Sequence, residues 1–201
     1  MLHSFSIETS TMTENPPADS LSQSLIAWVT AVKQDSLSPD AASSRLDEMR
    51  LEHLVLCLLE LDLEEAAQID ALSNSTYPFE RSPERFYETL QQTILQLKLF
   101  KLFAKTRDGE YHRSVCPAAY NACTGEHYPE EMARWRAEFR AMSPEQQMVV
   151  TTIVWMYRSG PDSIWLRRVP CTWKASEALH YMRDAGCLSL WLSLVARYPG
   201  W

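Results

Sequence analysis

A chain of 201 residues with 46% hydrophobic and 10% aromatic content can bury a substantial core, as one domain or as two small lobes. A formal charge of −7, from 26 acidic against 19 basic side chains, opposes direct nucleic-acid binding, which needs clustered and uncompensated Lys and Arg at the phosphates. Five cysteines, an odd number at wide spacings, fit a reducing compartment better than a disulfide framework.

The N-terminal stretch MLHSFSIETSTMTENPPADS has neither the basic start nor the apolar run of a signal peptide, so a cytoplasmic location is expected. Residues 1–19 hold few large apolar groups and are read as a flexible segment, because they bury too little surface to offset ordering entropy. A single α-helical domain is expected over 20–201, dividing at most into lobes 20–106 and 129–201 around an irregular segment 107–128.

From Leu21 to Lys33, the positions of Leu25, Trp28, Val29 and Val32 follow helical spacing. After Ser38-Pro39, one broad helix is predicted through Leu46, Met49, Leu54, Leu58 and Leu61, widened by Val55, Leu56 and Leu59, as in a central element of a bundle. Its strongest apolar stretch, LVLCLLELDL, is interrupted by Glu60 and Asp62 and falls far short of the ~20 residues that span a bilayer. EEAAQIDAL reads as a short helix, and SNSTYPFERSPE as a connector.

Ser82 then caps a helix opened by Pro83 and Glu84, with Phe86, Leu90, Ile94, Leu97 and Phe100 on one face and a stop near TRDGE. Pro129 opens another, carrying Met132, Trp135, Phe139 and Met142. A capping box of Ser143 and Gln146 around Pro144 opens a third, running through Val149, Ile153 and Met156 to Gly160. TWKASEALHYMRDAG reads as a helix closed by a left-handed Gly186. CLSLWLSLV alternates like a strand, yet Leu190, Trp191, Leu194 and Val195 also suit a helix. With only SIWLRRV as a conceivable partner strand, helix is preferred. The sum is an all-α compact bundle of about six to eight helices.

Candidate chemistry begins with HRSVCPAAYNACTGEH, in which His112, Cys116, Cys123 and His127 stand in mirror-symmetric spacing. On one continuous helix the outer two would lie roughly 22 Å apart, too far for one zinc. A shared site would need the chain to fold back between the cysteines. The preferred reading is structural: Cys116 precedes a short helix opened by Pro117 and closed near Gly125, and no cofactor is expected. Overlapping this stretch, Arg107-Asp108-Gly109-Glu110-Tyr111-His112 resembles the R-x4-6-H signature of HEPN ribonucleases, all-helical proteins in which that Arg and His act on the scissile phosphate. The resemblance covers six residues and implies catalytic roles for Arg107 and His112. Against it, Asp108-Gly109 marks a turn where that family has a helix.

Glu177 and His180 form one E-x-x-H pair, without the second that a di-iron bundle needs. Glu60, Asp62, Glu64 and Glu65 are read as an exposed acidic face in preference to a metal or acid/base cluster. Arg136 and Arg140 share a helix face with nearby glutamates and read as a solvated surface. No G-x-S-x-G, P-loop, H-E-x-x-H or dinucleotide fingerprint occurs. Among seven tryptophans, Trp165 and Trp173 fall in loop-like sequence, so IWLRRVPCTW, with Trp165, Arg167, Arg168 and Trp173, is the first choice for a partner surface. The expected function is that of a non-catalytic binding protein. In this reading Glu64 and Glu65 speed encounter with another protein of basic surface, and the tryptophans prolong residence.

Overall fold

The computed structural model describes residues 20–34, 45–105, 115–119, 126, 128–157 and 173–200. Helices dominate: α1 (Leu21–Lys33), α2 (Leu51–Leu58), α3 (Leu63–Ala71), α4 (Pro83–Gln96), α5 (Pro129–Ala141), α6 (Pro144–Tyr157), α7 (Ala175–Asp184) and α8 (Leu188–Ala196). Residues 45–48 add a helical turn ahead of α2. Between α4 and α5 lies a two-stranded antiparallel ribbon of β1 (Phe103–Lys105) and β2 (Val115–Pro117), with Ala104 opposite Cys116.

Helices α1, α3 and α4 start where short polar side chains satisfy free amides of the first turn. The Ser20 hydroxyl accepts from the Gln23 amide at 3.2 Å, and that of Ser82 from the Arg85 amide at 3.3 Å. Asp62 and Glu65 form a reciprocal capping box on α3. At α6 the Gln146 carbonyl accepts from the Ser143 amide at 3.0 Å, one arm of the predicted box. Gly186 adopts φ +71, and the amides of Gly186 and Cys187 reach back to the carbonyls of Arg183 and Met182, both at 2.9 Å, closing α7 as expected.

Three elements depart from the sequence reading. The helix predicted through Leu46 and Leu61 is broken at Met49 and Arg50. There the segment entering α7 crosses it, with the Leu51 amide donating to Trp173 O at 3.1 Å and the Ala175 amide to Met49 O at 2.8 Å. These cross-chain bonds replace helical ones. Helix α4 stops at Gln96, before Phe100, because Lys98 turns left-handed at φ 56 and the Leu99 amide closes onto Ile94 O at 2.8 Å. Phe100 is thereby turned out to 63% exposure, while Leu99 and Leu102 take its place in the core. Pro117 ends a strand and opens no helix: the Ala118 amide continues the pairing to Leu102 O at 2.8 Å, and Ala119 turns the chain at φ 70. A two-stranded ribbon accommodates proline because one edge of each strand asks for no ladder hydrogen bond.

The core runs along α8, where Trp191, Leu192, Leu194, Val195 and Ala196 are all buried, settling its ambiguous alternation as helix. Contacts from α8 reach α2, α3, α4 and α7. Helix α6 is buried continuously from Met148 to Met156, with two threonines included. Thr152 is satisfied twice, donating to Met148 O at 2.9 Å and accepting the Trp191 indole N–H at 3.0 Å. Trp135 stacks on Phe139 at 5.6 Å between ring centroids and donates to Leu102 O at 2.9 Å, tying α5 to the chain entering β1.

Candidate functional site

The acidic stretch behind α2 becomes a solvent-facing corner. Leu61 is buried, so the turn that anchors it leaves Glu60 and Asp62 outside, and Asp62 then starts α3 with Leu63 and Glu64 on its exposed first turn. Leu63 is 66% exposed between these carboxylates. The corner is held from beneath by Arg81, which donates to Leu61 O through Nη1 and to Tyr198 O at 2.7 Å through Nε. Burial pushes the Arg81 guanidinium below its usual value, opposed by the charge of Asp62.

Glu64 and Glu65 have different fates. Glu64 faces solvent, and among the described residues no salt bridge engages it or Glu60. Glu65 is half-buried: one oxygen accepts from the Ser22 hydroxyl of α1, and the other from the Asp62 amide at 3.3 Å. It therefore fastens α3 to α1 and presents only part of its charge outward.

Of the tryptophan-rich segment, Trp173 is half-buried, packs against the core and accepts the Leu51 amide through its carbonyl. Trp165, Arg167 and Arg168 lie outside the described residues, as do Arg107, His112, Cys123 and His127. Cys116 is placed only through its backbone in β2. The E-x-x-H pair is structural: Glu177 accepts from the Lys174 amide at 3.2 Å, and His180 packs edge-on against Trp28 at 5.2 Å. Glu138 pairs with Lys101 at 3.0 Å. Among the described residues no group of three or more His, Cys, Asp and Glu is placed to hold a metal ion, and no helix is long and apolar enough to cross a membrane.

The most unusual electrostatic feature escaped sequence reasoning. Asp70 of α3 and Arg197, just past α8, form a bidentate pair, Nε to Oδ1 at 3.0 Å and Nη2 to Oδ2 at 3.1 Å, with each residue only 3% exposed. Ser193 donates to Asp70 at 3.1 Å, and Arg197 Nη2 also reaches the Ser75 hydroxyl at 3.0 Å. Removing two charges from water is offset only when the partners are this fully hydrogen-bonded. The available signal was an arginine directly after the apolar run LSLWLSLVA, where continued burial demands a carboxylate.

Cys187 has its thiol pushed up to about 11 by burial first and by the charge of Glu145 second. It is held as an unreactive protonated thiol, whereas Cys57 is exposed. No protein-family model, curated protein or solved structure matches this chain.

Proposed function

We propose that this protein is a non-catalytic cytoplasmic binding factor, an inhibitor, immunity- or antitoxin-type protein, chaperone or complex subunit, that docks a basic partner at the corner centred on Leu63. The observation supporting this reading is a leucine two-thirds exposed amid Glu60, Asp62 and Glu64, all solvent-facing. An apolar anchor inside a single-sign field divides the labour of association. The carboxylates raise the encounter rate, and desolvating the leucine slows departure. Burying a leucine side chain contributes about 1.5–3 kcal/mol, roughly one to two decades in dissociation rate. The tryptophan-rich stretch with Trp165, Arg167, Arg168 and Trp173 carries residue types favoured at binding hot spots and is proposed to contact the same partner.

The test is chemical cross-linking of the full chain in its own host cells, with the linked peptides mapped by mass spectrometry, followed by binding measurements on purified components. A partner cross-linked near α3 should dissociate about tenfold faster from Leu63→Ser than from the native protein. A partner whose affinity ignores both Leu63→Ser and Glu60→Gln/Glu64→Gln would defeat the proposal.

A further inference from the structure

Away from the Leu63 corner, the turn after α3 and one face of α4 and α8 enclose an open cleft of about 270 Å³. Its walls carry an unusual chemistry. Ser73, Asn74, Ser75, Thr76, Gln92, Gln96, Ser189 and Ser193 supply hydroxyls and amides, Tyr77 and Leu190 supply the apolar surface, and among the described residues none of those lining it bears a formal charge. Three cations touch lining residues from outside the cleft: Lys33 Nζ at Asn74 Oδ1, Arg197 Nη2 at Ser75, and Arg85 on one side of the Tyr77 ring, 5.8 Å from its centroid; Arg197 is paired with Asp70, and Arg85 with Glu80 and Glu88, so the surface offered to a ligand is mainly neutral hydroxyls and amides.

The buried Asp70–Arg197 pair lies directly behind this wall and orients it. Ser193 spends its proton on Asp70, so its oxygen is left as an acceptor polarised by a carboxylate. Ser75 accepts from Arg197 Nη2 at 3.0 Å and from the Tyr77 amide at 3.3 Å, while its own proton has among the described residues only the distant Tyr77 carbonyl at 3.4 Å. It is left as a donor polarised by a guanidinium. Asn74, held left-handed at φ 58, accepts from Lys33 Nζ at 2.9 Å through Oδ1, which leaves its NH₂ as a second donor. Gln92 and Gln96 stand one turn apart on the exposed face of α4 and add an acceptor and two donors each.

The cleft therefore offers fixed donors and acceptors side by side, beside a tyrosine ring that is 63% exposed. Vicinal hydroxyls, each both donor and acceptor, with an adjacent C–H face for the ring, match that arrangement. We infer that this cleft binds a neutral carbohydrate, with Ser75, Ser193, Asn74, Gln92 and Gln96 bonding its hydroxyls and Tyr77 packing on its ring. The volume lies just below the range for drug-sized ligands, which fits a single sugar ring.

The experiment is a two-dimensional amide NMR titration of the full chain with glucose, galactose and N-acetylglucosamine, with glucuronate as the anionic counterpart. At least one neutral sugar should bind with a Kd below about 10 mM, moving resonances of residues 73–77 and 186–193, and glucuronate should bind at least about tenfold more weakly than that sugar. Gln92→Leu/Gln96→Leu, whose side chains are exposed, should abolish those shifts without lowering the Tm. Three neutral sugars without effect, a glucuronate that binds as well as they do, or binding that survives the double substitution would each overturn the inference. Shifts produced only by a terminally blocked trialanine would overturn it too, reassigning the cleft to extended peptide.

Discussion

Replacing Arg197 by methionine keeps much of the side-chain volume but strands Asp70 in the interior with Ser193 as its remaining side-chain donor among the described residues. The arginine contributes two charge-assisted bonds to that carboxylate and a third to Ser75. Breaking one side of such a buried pair costs about 3–5 kcal/mol, because an uncompensated charge remains in a poorly solvated site. For a chain of this length that lowers Tm by about 6–20 °C. Urea unfolding followed by circular dichroism reads the loss directly. The paired replacement Asp70→Leu/Arg197→Met removes both charges at once and should recover most of the stability, since an apolar pair avoids the desolvation that the ion pair must offset. A single variant that loses less than about 1 kcal/mol, or a double variant no more stable than the single one, would refute the assignment of this pair as a desolvated, mutually dependent unit.

Thr152→Val deprives the buried Trp191 indole N–H of its acceptor and should cost about 1–3 kcal/mol in urea unfolding, more than its loss of one hydroxyl suggests. Lys98→Gly relieves a left-handed lysine at the end of α4 and should stabilise by about 1 kcal/mol in the same assay, a gain that Lys98→Ala does not reproduce. Under native conditions Cys57 should react with a maleimide at its exposed position, while Cys187 reacts only as the protein unfolds. Because the folded Cys187 thiol keeps its proton to about 11 and the unfolded one gives it up near 9.0, its contribution to stability is intact below about pH 9 and declines as pH rises toward 11. The native protein should lose stability over that interval faster than Cys187→Ala, and parallel pH profiles would contradict the shift.

Local signals in the sequence carried much of this fold. The signals at Ser82, Ser143 and Gly186 mark helix ends because each completes a hydrogen bond within four or five residues, a distance that sequence alone exposes, whereas the caps at Ser20 and Asp62 escape the sequence reading. The departures are non-local. Nothing near Met49 says that the chain about 125 residues later will cross and pair with it, and nothing near Phe100 says that a lysine will take a left-handed turn commonly given to glycine. Pro117 was legible as a break but not as the end of a strand, since its partner Phe103 lies across a connection of its own. For the surface, the carboxylates at 60, 62 and 64 read as solvent-facing and are so, whereas the commitment of Glu65 to Ser22 depends on α1 packing beside α3. The uncharged cleft had no local signature at all, being assembled from three separate stretches.

The most direct test of the binding account is the association rate constant of the cross-linked partner, measured by stopped flow across a range of ionic strength for the native chain and for Glu60→Gln/Glu64→Gln. Docking at the Leu63 corner predicts a steep fall in rate with salt for the native protein, a shallower one for the double variant, and convergence of the two at high salt where the charges are screened. Identical salt slopes for the two proteins would contradict it and remove the Leu63 corner as the docking surface.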